Sequence, residues 1–553
     1  MKTLSLNLSK QYIIRSLCII VKYYYENSNL SNIINQRHKM IDAINRYIYS
    51  NEKARLILLV IILSALSFNH AFNFHLYLDD WYQILGALYY PDLINGPMWL
   101  GTHPGSVLEI KIFAPFFKFN PYPWQFWGYL IKIAQSLSMW PFMFALTNSK
   151  KAAFYACLIF AVFVVGIESI IWVSPQASAF NIVLINLGFY FWVKSEGFKS
   201  IKYFLFALVL FTLCILADPG RGLMILPLVL IWEFLSVYQK FSFKKITFFS
   251  LRAILLLPLI PVTTFIFHKY FGVTNDFSQY TKNLFLFNFS NLIQVLENVL
   301  FGWTLLPKEI VFWATGISLF IFPLLIILFL WKKSEVYKII SFLYIWIFLF
   351  YLPNFLVQYF ARSGMATESR YYAISAVGVV GLLAYGFSFI KSKYINWIVF
   401  LFLLFNLYVT NRVLMQYSTF RSIPVFNKAW DKIDQDVPKG EIGSVFMYSG
   451  ENYLHREYLL DYQDTIPFAI KRGLLKKEEF PIMTNDKNLI AKLICEKNVV
   501  KHTPVGDIVQ KEPIPLSYVH AWELKKDREL ENRSDQEREG IKKIAKCLLF
   551  KQS

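Results

Sequence analysis

Charge is scarce in this sequence: Asp, Glu, Lys and Arg supply 17% of its 553 residues, where a soluble chain carries roughly 25%. Most of the chain is therefore not built to face water. Cysteine is scarce as well, with five scattered residues in no CxxC pair and no metal-ligand spacing, which excludes a disulfide-stapled scaffold and a cysteine zinc site. Glycine (23) and proline (22) follow no period, so a collagen-like chain is excluded, and a 56% hydrophobic composition excludes disorder. The phosphate-binding P-loop, the dinucleotide glycine run, the HExxH zinc helix and the GxSxG elbow are all missing. Acids are in deficit against bases, 37 to 56, for a net charge of +19.

What the sequence has is long apolar runs and a mean hydropathy of +0.41. Stretches such as ARLILLVIILSALSF and IVFLFLLFNLYV approach the ~20 residues that cross a bilayer's hydrocarbon core. About eleven spans are expected. They begin near Arg55, Gln125, Ala152, Pro175, Tyr203, Gly222, Ile246, Ile310, Val336, Tyr371 and Ile395. Alternate short loops collect lysine: Lys150 and Lys151; Lys194, Lys199 and Lys202; Lys240, Lys244 and Lys245; Lys332, Lys333 and Lys338; Lys391 and Lys393. By the positive-inside rule these loops are cytoplasmic, as is the basic amino-terminal segment, and an odd span count puts the tail outside. The expected location is the cytoplasmic (inner) membrane. The net positive charge then reads as topology and attraction to membrane lipids, not as nucleic-acid binding, because no compact basic domain exists.

The expected fold is an all-α polytopic membrane protein with a small α/β extracytoplasmic domain at its carboxyl end. Residues 1–54 form a cytoplasmic or interfacial segment, since Arg15 and Lys22 interrupt its apolar run. Residues 55–413 form the transmembrane domain, with a first outer loop at 75–124 that lies on the membrane surface. A surface helix is expected within NLIQVLENVLFG, in the outer loop from Lys269 to Glu309. Residues 414–553 are long enough for a domain with its own core. In that tail FNKAWDKIDQDVP and NDKNLIAKLICEK read as helices, GSVFMYSG and SYVHAWEL as strands, and the charged end as a helix or a frayed tail. Cys495 and Cys547 lie there and could pair; spacing alone leaves that open.

Chemistry is expected on the outer face. Asp79 and Asp80 follow the first span among Tyr77, Trp81 and Tyr82. Adjacent carboxylates repel, and a membrane boundary raises their cost, so they are catalytic candidates; the alternative is an acidic helix cap. Glu168 lies near the outer end of the third span. Arg221 and Arg370 open inward-running spans, where unpaired N–H groups and a guanidinium together make an anion site. Arg362 is near Arg370 in sequence. The alternative for each arginine is a snorkelling flank that meets lipid phosphates. His103, in GTHPGSVLEI, is a candidate substrate contact or a packing residue. Asp434, Gln435 and Asp436 spell a DxD, but they close a helix before Pro438 and read as a solvated helix end.

In their order along the chain these features resemble the GT-C glycosyltransferases, in particular the protein mannosyltransferase-like and aminoarabinose transferase-like members. Asp79 and Asp80 match that family's acidic pair after the first span. THPGS resembles its His-Pro segment, with Gly105 where a second proline is usual. LADPGRGLMILPLVL resembles its mid-chain Pro and Leu-rich opening, ESRYYAISAVGVVGLLA its late Arg-Tyr span, and Glu168 its second acid. The resemblance implies an inverting transfer of a sugar from a polyprenyl-phosphate donor to a lipid, glycan or protein acceptor outside the cytoplasmic membrane. Asp79 or Asp80 would be the base, and His103, Glu168, Arg221, Arg370 and Tyr371 would bind substrate. No cofactor is certain; a divalent metal is left open, with Asp80 and Glu168 as the acids that would hold it. Two other classes stay in view. An O-antigen polymerase or ligase would carry an arginine-rich late loop, and the loop at 269–309 has no arginine. A lipid-linked sugar transporter or flippase would place charges at mid-bilayer, where these spans are nearly charge-free.

Overall fold

The computed structural model describes residues 51–95, 103–196, 199–239, 243–259, 289–357, 369–450, 465–525 and 529–545, with a few single positions beside them. The expected interfacial segment before residue 51, Arg362 and residues 270–288 of the 269–309 loop lie outside the described residues, and the surface helix expected in that loop is Phe289–Phe301. By internal contacts the chain divides into residues 1–61 and 62–553. The described part of the first unit is the start of the helix Glu52–Phe68, which opens on the Asn51 side chain accepting from the Lys53 and Ala54 amides. All the other described elements belong to the second unit.

Among the described residues, four helices are long and apolar enough to cross a membrane: Gln176–Lys194, Pro219–Gln239, Lys308–Lys332 and Ile395–Arg421. Ile201–Ala217 and Ser375–Phe389 are apolar but shorter. The chain is thus a helical membrane protein, and the remaining expected spans also fall on helices, among them Glu335–Val357. Lys308–Lys332 turns most of its side chains outward, including Phe312, Trp313, Phe320 and Trp331, as a lipid-facing helix does.

Local chemistry sets the helix ends. Pro121–Thr147 starts with the Asn120 side chain accepting from the Tyr122 amide and stops at Asn148 in the left-handed region, φ 51°. Lys150–Val162 starts on the Ser149 side chain, which accepts from the Ala152 amide, and ends at Phe163 after 13 residues. That end is buried, and its last carbonyls would lack partners. Side chains from three other helices supply them: Ser67 Oγ donates to Ala161 O (2.9 Å), Thr410 Oγ1 to Val162 O (2.7 Å) and Lys132 Nζ to Phe163 O (3.2 Å). Lys132 is fully buried, an exception to the charge-free span interiors expected from sequence. Its ammonium is spent on a helix end.

The tail is α/β, as expected. Strands β1 (Val445–Gly450), β2 (Ile482–Met483), β3 (Val499–Thr503), β4 (Gly506–Gln510), β5 (Val519–Leu524) and β6 (Leu530–Asn532) alternate with the helices Thr465–Arg472, Lys487–Cys495 and Ser534–Lys542. One sheet has the order β2-β1-β5-β6, parallel except for β5 with β6; β3 and β4 form an antiparallel hairpin. Cys495 and Cys547 are joined in a disulfide, so the charged end of the chain is pinned at that point. The tail has its own core on one side, with Val445, Met447, Ile490, Leu493, Val519 and Ile541. On the other side its core is shared. Phe426, Trp430, Phe446, Phe468 and Trp522 pack in one cluster with Trp81, Ile84, Leu85, Ile110 and Trp124 of the loop at 75–124. That loop, expected to lie on the membrane surface, is half of a core, because its helices Asp79–Tyr89 and Pro104–Phe117 carry an apolar face that the tail covers.

Candidate functional site

The acid pair begins a helix by way of an unfavourable turn. Residues 74–75 run beside the end of the last long helix, with a bridge from Phe74 to Ser422 and the His75 amide donating to Arg421 O at 2.8 Å. Leu78 then takes φ 39°, ψ −110°, which for a leucine costs on the order of 1–3 kcal/mol and persists only where neighbours enforce it. They do so through Asp80. This carboxylate is fully buried; Oδ2 accepts from the Tyr77 amide (2.9 Å) and Oδ1 from the Ser174 amide (2.8 Å). Burial pushes its pKa up to about 7, against the two amides and Arg421, which lower it. Asp79, next to it, is half-buried. The pair is therefore unequal: Asp80 is a structural acceptor that locks the turn, and Asp79 is the more accessible acid.

Ser174 belongs to the segment that follows the capped helix end. After Phe163 the chain runs to Gly166, at φ 88°, where an added Cβ would lie 2.6 Å from Ala373 Cα. Only glycine allows that approach, and it brings the short helix Glu168–Ile171 against the turn Ser369–Tyr372. Glu168, buried, accepts from the Arg370 amide (3.3 Å) and from Arg370 Nη1 (3.2 Å). Arg370 Nη2 donates to Tyr371 Oη at 2.9 Å, and the guanidinium lies 4.2 Å from the Trp172 ring and 4.5 Å from the Tyr371 ring. Trp172 in turn meets Tyr77 edge to face at 4.9 Å.

Arg221 joins from another helix. Asp218 starts that helix by accepting from the Arg221 amide and pairs with Arg221 Nη1 at 2.8 Å. The Arg221 guanidinium is 5.7 Å from the Tyr371 ring. His103 feels the charges of Asp218, Arg221 and Arg370; packing lowers its pKa, and the Asp218 carboxylate raises it. Gly105 explains how it gets there: a Cβ at this position would lie 2.8 Å from Ala217 O, so the start of Pro104–Phe117 can abut the end of Ile201–Ala217 only without a side chain. The place of the second proline in the resembling family is thus held by a residue that this contact requires.

One linked run of contacts therefore joins Tyr77, Trp172, Glu168, Arg370, Tyr371, Arg221 and Asp218, with His103 in the field of Asp218 and both arginines and Asp80 tied to the Glu168 segment through Ser174. Of the expected residues, Glu168, Arg221, Arg370 and Tyr371 lie side by side, and Asp79 is half-buried next to Asp80. Three contributors were not expected. Asp218 was legible as the cap in ADPG; Trp172 is one of 15 tryptophans and carried no signal of its own; Arg421 resembled any basic residue at the end of a span. In the DxD, Asp434 pairs with Lys471 and Arg472, and Asp436 with Lys432 and Trp522 Nε1. These acids are spent on the tail's own packing.

A divalent metal does not fit these residues. Among the described residues no three His, Cys, Asp or Glu side chains gather to hold an ion, and the oxygens of Asp80 and Glu168 are taken by N–H donors.

No family model and no curated protein matches this sequence. Among solved structures, the chain is similar to the archaeal oligosaccharyltransferase AglB from Archaeoglobus fulgidus in complex with an inhibitory peptide and a dolichol-phosphate, at 13% identity and a TM-score of 0.43, covering 79% of this chain and 65% of that one. It is also similar to the A. fulgidus oligosaccharyltransferase tethered to an acceptor peptide containing the NVT sequon, at 12% identity and a TM-score of 0.42, covering 75% and 64%. The chain spans just under two thirds of the length of either. So loose a superposition carries no argument about activity.

Proposed function

We propose that this membrane protein is an inverting glycosyltransferase that moves a sugar from a polyprenyl-phosphate donor to a lipid, glycan or protein acceptor on the outer face of the cytoplasmic membrane. The observation that carries the reading is the splitting of the acid pair beside a fixed arginine: Asp80 is consumed by two backbone amides, which leaves Asp79 at the head of a helix in the segment that meets Trp172 and Arg370. Asp79 takes the proton of an acceptor hydroxyl or amine. The freed electron pair attacks the anomeric carbon from the face opposite the phosphate, and the carbon–oxygen bond to that phosphate breaks with its electrons on the leaving oxygen. Arg370, already clamped by Glu168, Tyr371 and the Trp172 face, presents its charge to that oxygen at little entropic cost, with Arg221 beside it. Tyr371, part-buried beside both arginines, gives a ring for a sugar to meet. No metal-dependent step is invoked.

The test uses purified full-length protein, polyprenyl-phosphate sugars and a panel of lipid and peptide acceptors. Asp79→Asn is expected to lower transfer by at least ~10²-fold with folding intact. Asp80→Asn is expected to lower thermal stability first, because an amide cannot accept at both ends. Wild-type transfer that Asp79→Asn leaves unchanged removes Asp79 as the base, and no transfer from any donor removes the reading.

A further inference from the structure

Arg421 is the last residue of the helix Ile395–Arg421 and is 2% exposed. A guanidinium this far from water is costly unless acceptors surround it. Yet Nη2 donates to Ile171 O at 3.3 Å, while Nε and Nη1 have no hydrogen-bond partner among the described residues. Neither nearby acid binds it directly: Asp80 is taken by the Tyr77 and Ser174 amides, and Glu168 by Arg370. Its charge nevertheless acts on both. The guanidinium also lies over the rings of Tyr77 (4.5 Å) and Phe74 (5.5 Å). Its own carbonyl accepts from the His75 amide, and the next residue, Ser422, bridges to Phe74.

One residue thus touches both the segment leading to the acid pair and the segment carrying Glu168 and Trp172. A side chain kept only for packing would serve better without a charge, since an apolar group of the same volume avoids the desolvation cost. The charge has a use where it stands, since it acts on both buried carboxylates, Asp80 and Glu168.

We propose that Arg421 is a positioning residue for transfer: it holds the Tyr77–Asp80 turn against the Ile171–Ser174 segment, and so fixes Asp79 relative to Arg370. This rests on the transferase reading. Small displacements of a catalytic group cost rate steeply, up to ~10²-fold for about 1 Å, whereas Arg221 and Arg370 keep their own ion-pair partners, Asp218 and Glu168, when Arg421 is changed.

The experiment compares Arg421→Met and Arg421→Lys in full-length protein. Arg421→Met is expected to lower kcat per folded molecule by about 10- to 100-fold with donor KM little changed, and to speed hydrogen exchange at the Tyr77 and Ser174 amides. Arg421→Lys, which restores a cation over Tyr77, is expected to recover most of both. A merely structural arginine predicts lower thermal stability in both variants with wild-type kcat per folded molecule, and that result overturns the proposal, as does a lysine variant no better than methionine. Should Arg421→Met not fold, Arg421→Gln against Arg421→Lys decides on the same terms. If wild-type protein transfers no sugar, the transferase reading fails, and exchange at the two amides still decides whether Arg421 holds the turn.

Discussion

At the residue scale, two arginines that look alike in sequence differ in what surrounds them. Arg221 has a carboxylate three residues away on its own helix, a local pair; Arg370 has one 202 residues away and two rings against its face. The second arrangement is assembled by the fold and is the more sensitive to geometry. Arg370→Lys keeps the charge but loses the planar fork that reaches Glu168 and Tyr371 together, and Arg370→Ala loses both. Donor affinity, measured on monodisperse variants with a polyprenyl-phosphate sugar, is expected to fall in the order wild type, lysine, alanine, with about 1.5 to 3 kcal/mol, roughly 10- to 150-fold, for alanine. An affinity that alanine leaves unaltered returns Arg370 to a lipid-snorkelling role. The acid pair was legible because charge at a membrane boundary is expensive. Its division was not, because Asp80 owes its role to an amide 94 residues later.

At the element scale, the critical feature is an interruption. The region from Ala152 reads as a span, and hydropathy alone favours continuing it through FAVFVVGIES. The helix stops at Val162 instead, because Gly166 turns the chain toward Ala373 and side chains from other helices satisfy the carbonyls left over. No local pattern encodes this: Ser67, Thr410 and Lys132 each look like incidental polar residues within apolar runs. Their joint effect is to set where Glu168 emerges. Thr410→Val, close to isosteric, leaves the Val162 carbonyl buried and unpaired, and is expected to lower stability by about 1–3 kcal/mol. Thermal unfolding in detergent measures this, with Thr410→Ser as the control that restores the hydroxyl. A valine variant as stable as wild type would mean that the helix end relaxes to other partners.

At the scale of the whole molecule, the tail and the loop at 75–124 share one core. The apolar faces of both segments were legible from their periodicity, but an amphipathic helix does not name its partner, so the shared core became visible only in three dimensions. His75 stands at this junction, stacked on Phe426 at 3.7 Å and on Trp81 at 5.2 Å. Burial lowers its pKa from 6.5 to about 3, and Arg421 adds to the lowering. It is therefore neutral in the folded state, and unfolding takes up a proton below its ordinary value. Its contribution to stability is complete above pH 6.5 and is lost as the pH falls toward 3, amounting to about 2 kcal/mol by about pH 5. Asp80 acts in the opposite sense. Raised from 3.8 to about 7, it contributes fully below 3.8, and that contribution is lost as the pH rises through 7. In wild-type protein the two oppose one another between about pH 4 and 6.5, so the melting temperature there should vary little on their account. His75→Phe keeps the stack and removes one side of the balance, leaving Asp80 to make the protein more stable as the pH drops. Asp80→Asn removes the other and should make it less stable over the same range. Tryptophan fluorescence reports the melting of the shared core, since Trp81, Trp124, Trp430 and Trp522 all lie in it. Parallel pH profiles for wild type and His75→Phe would show that His75 does not couple the junction to acidity.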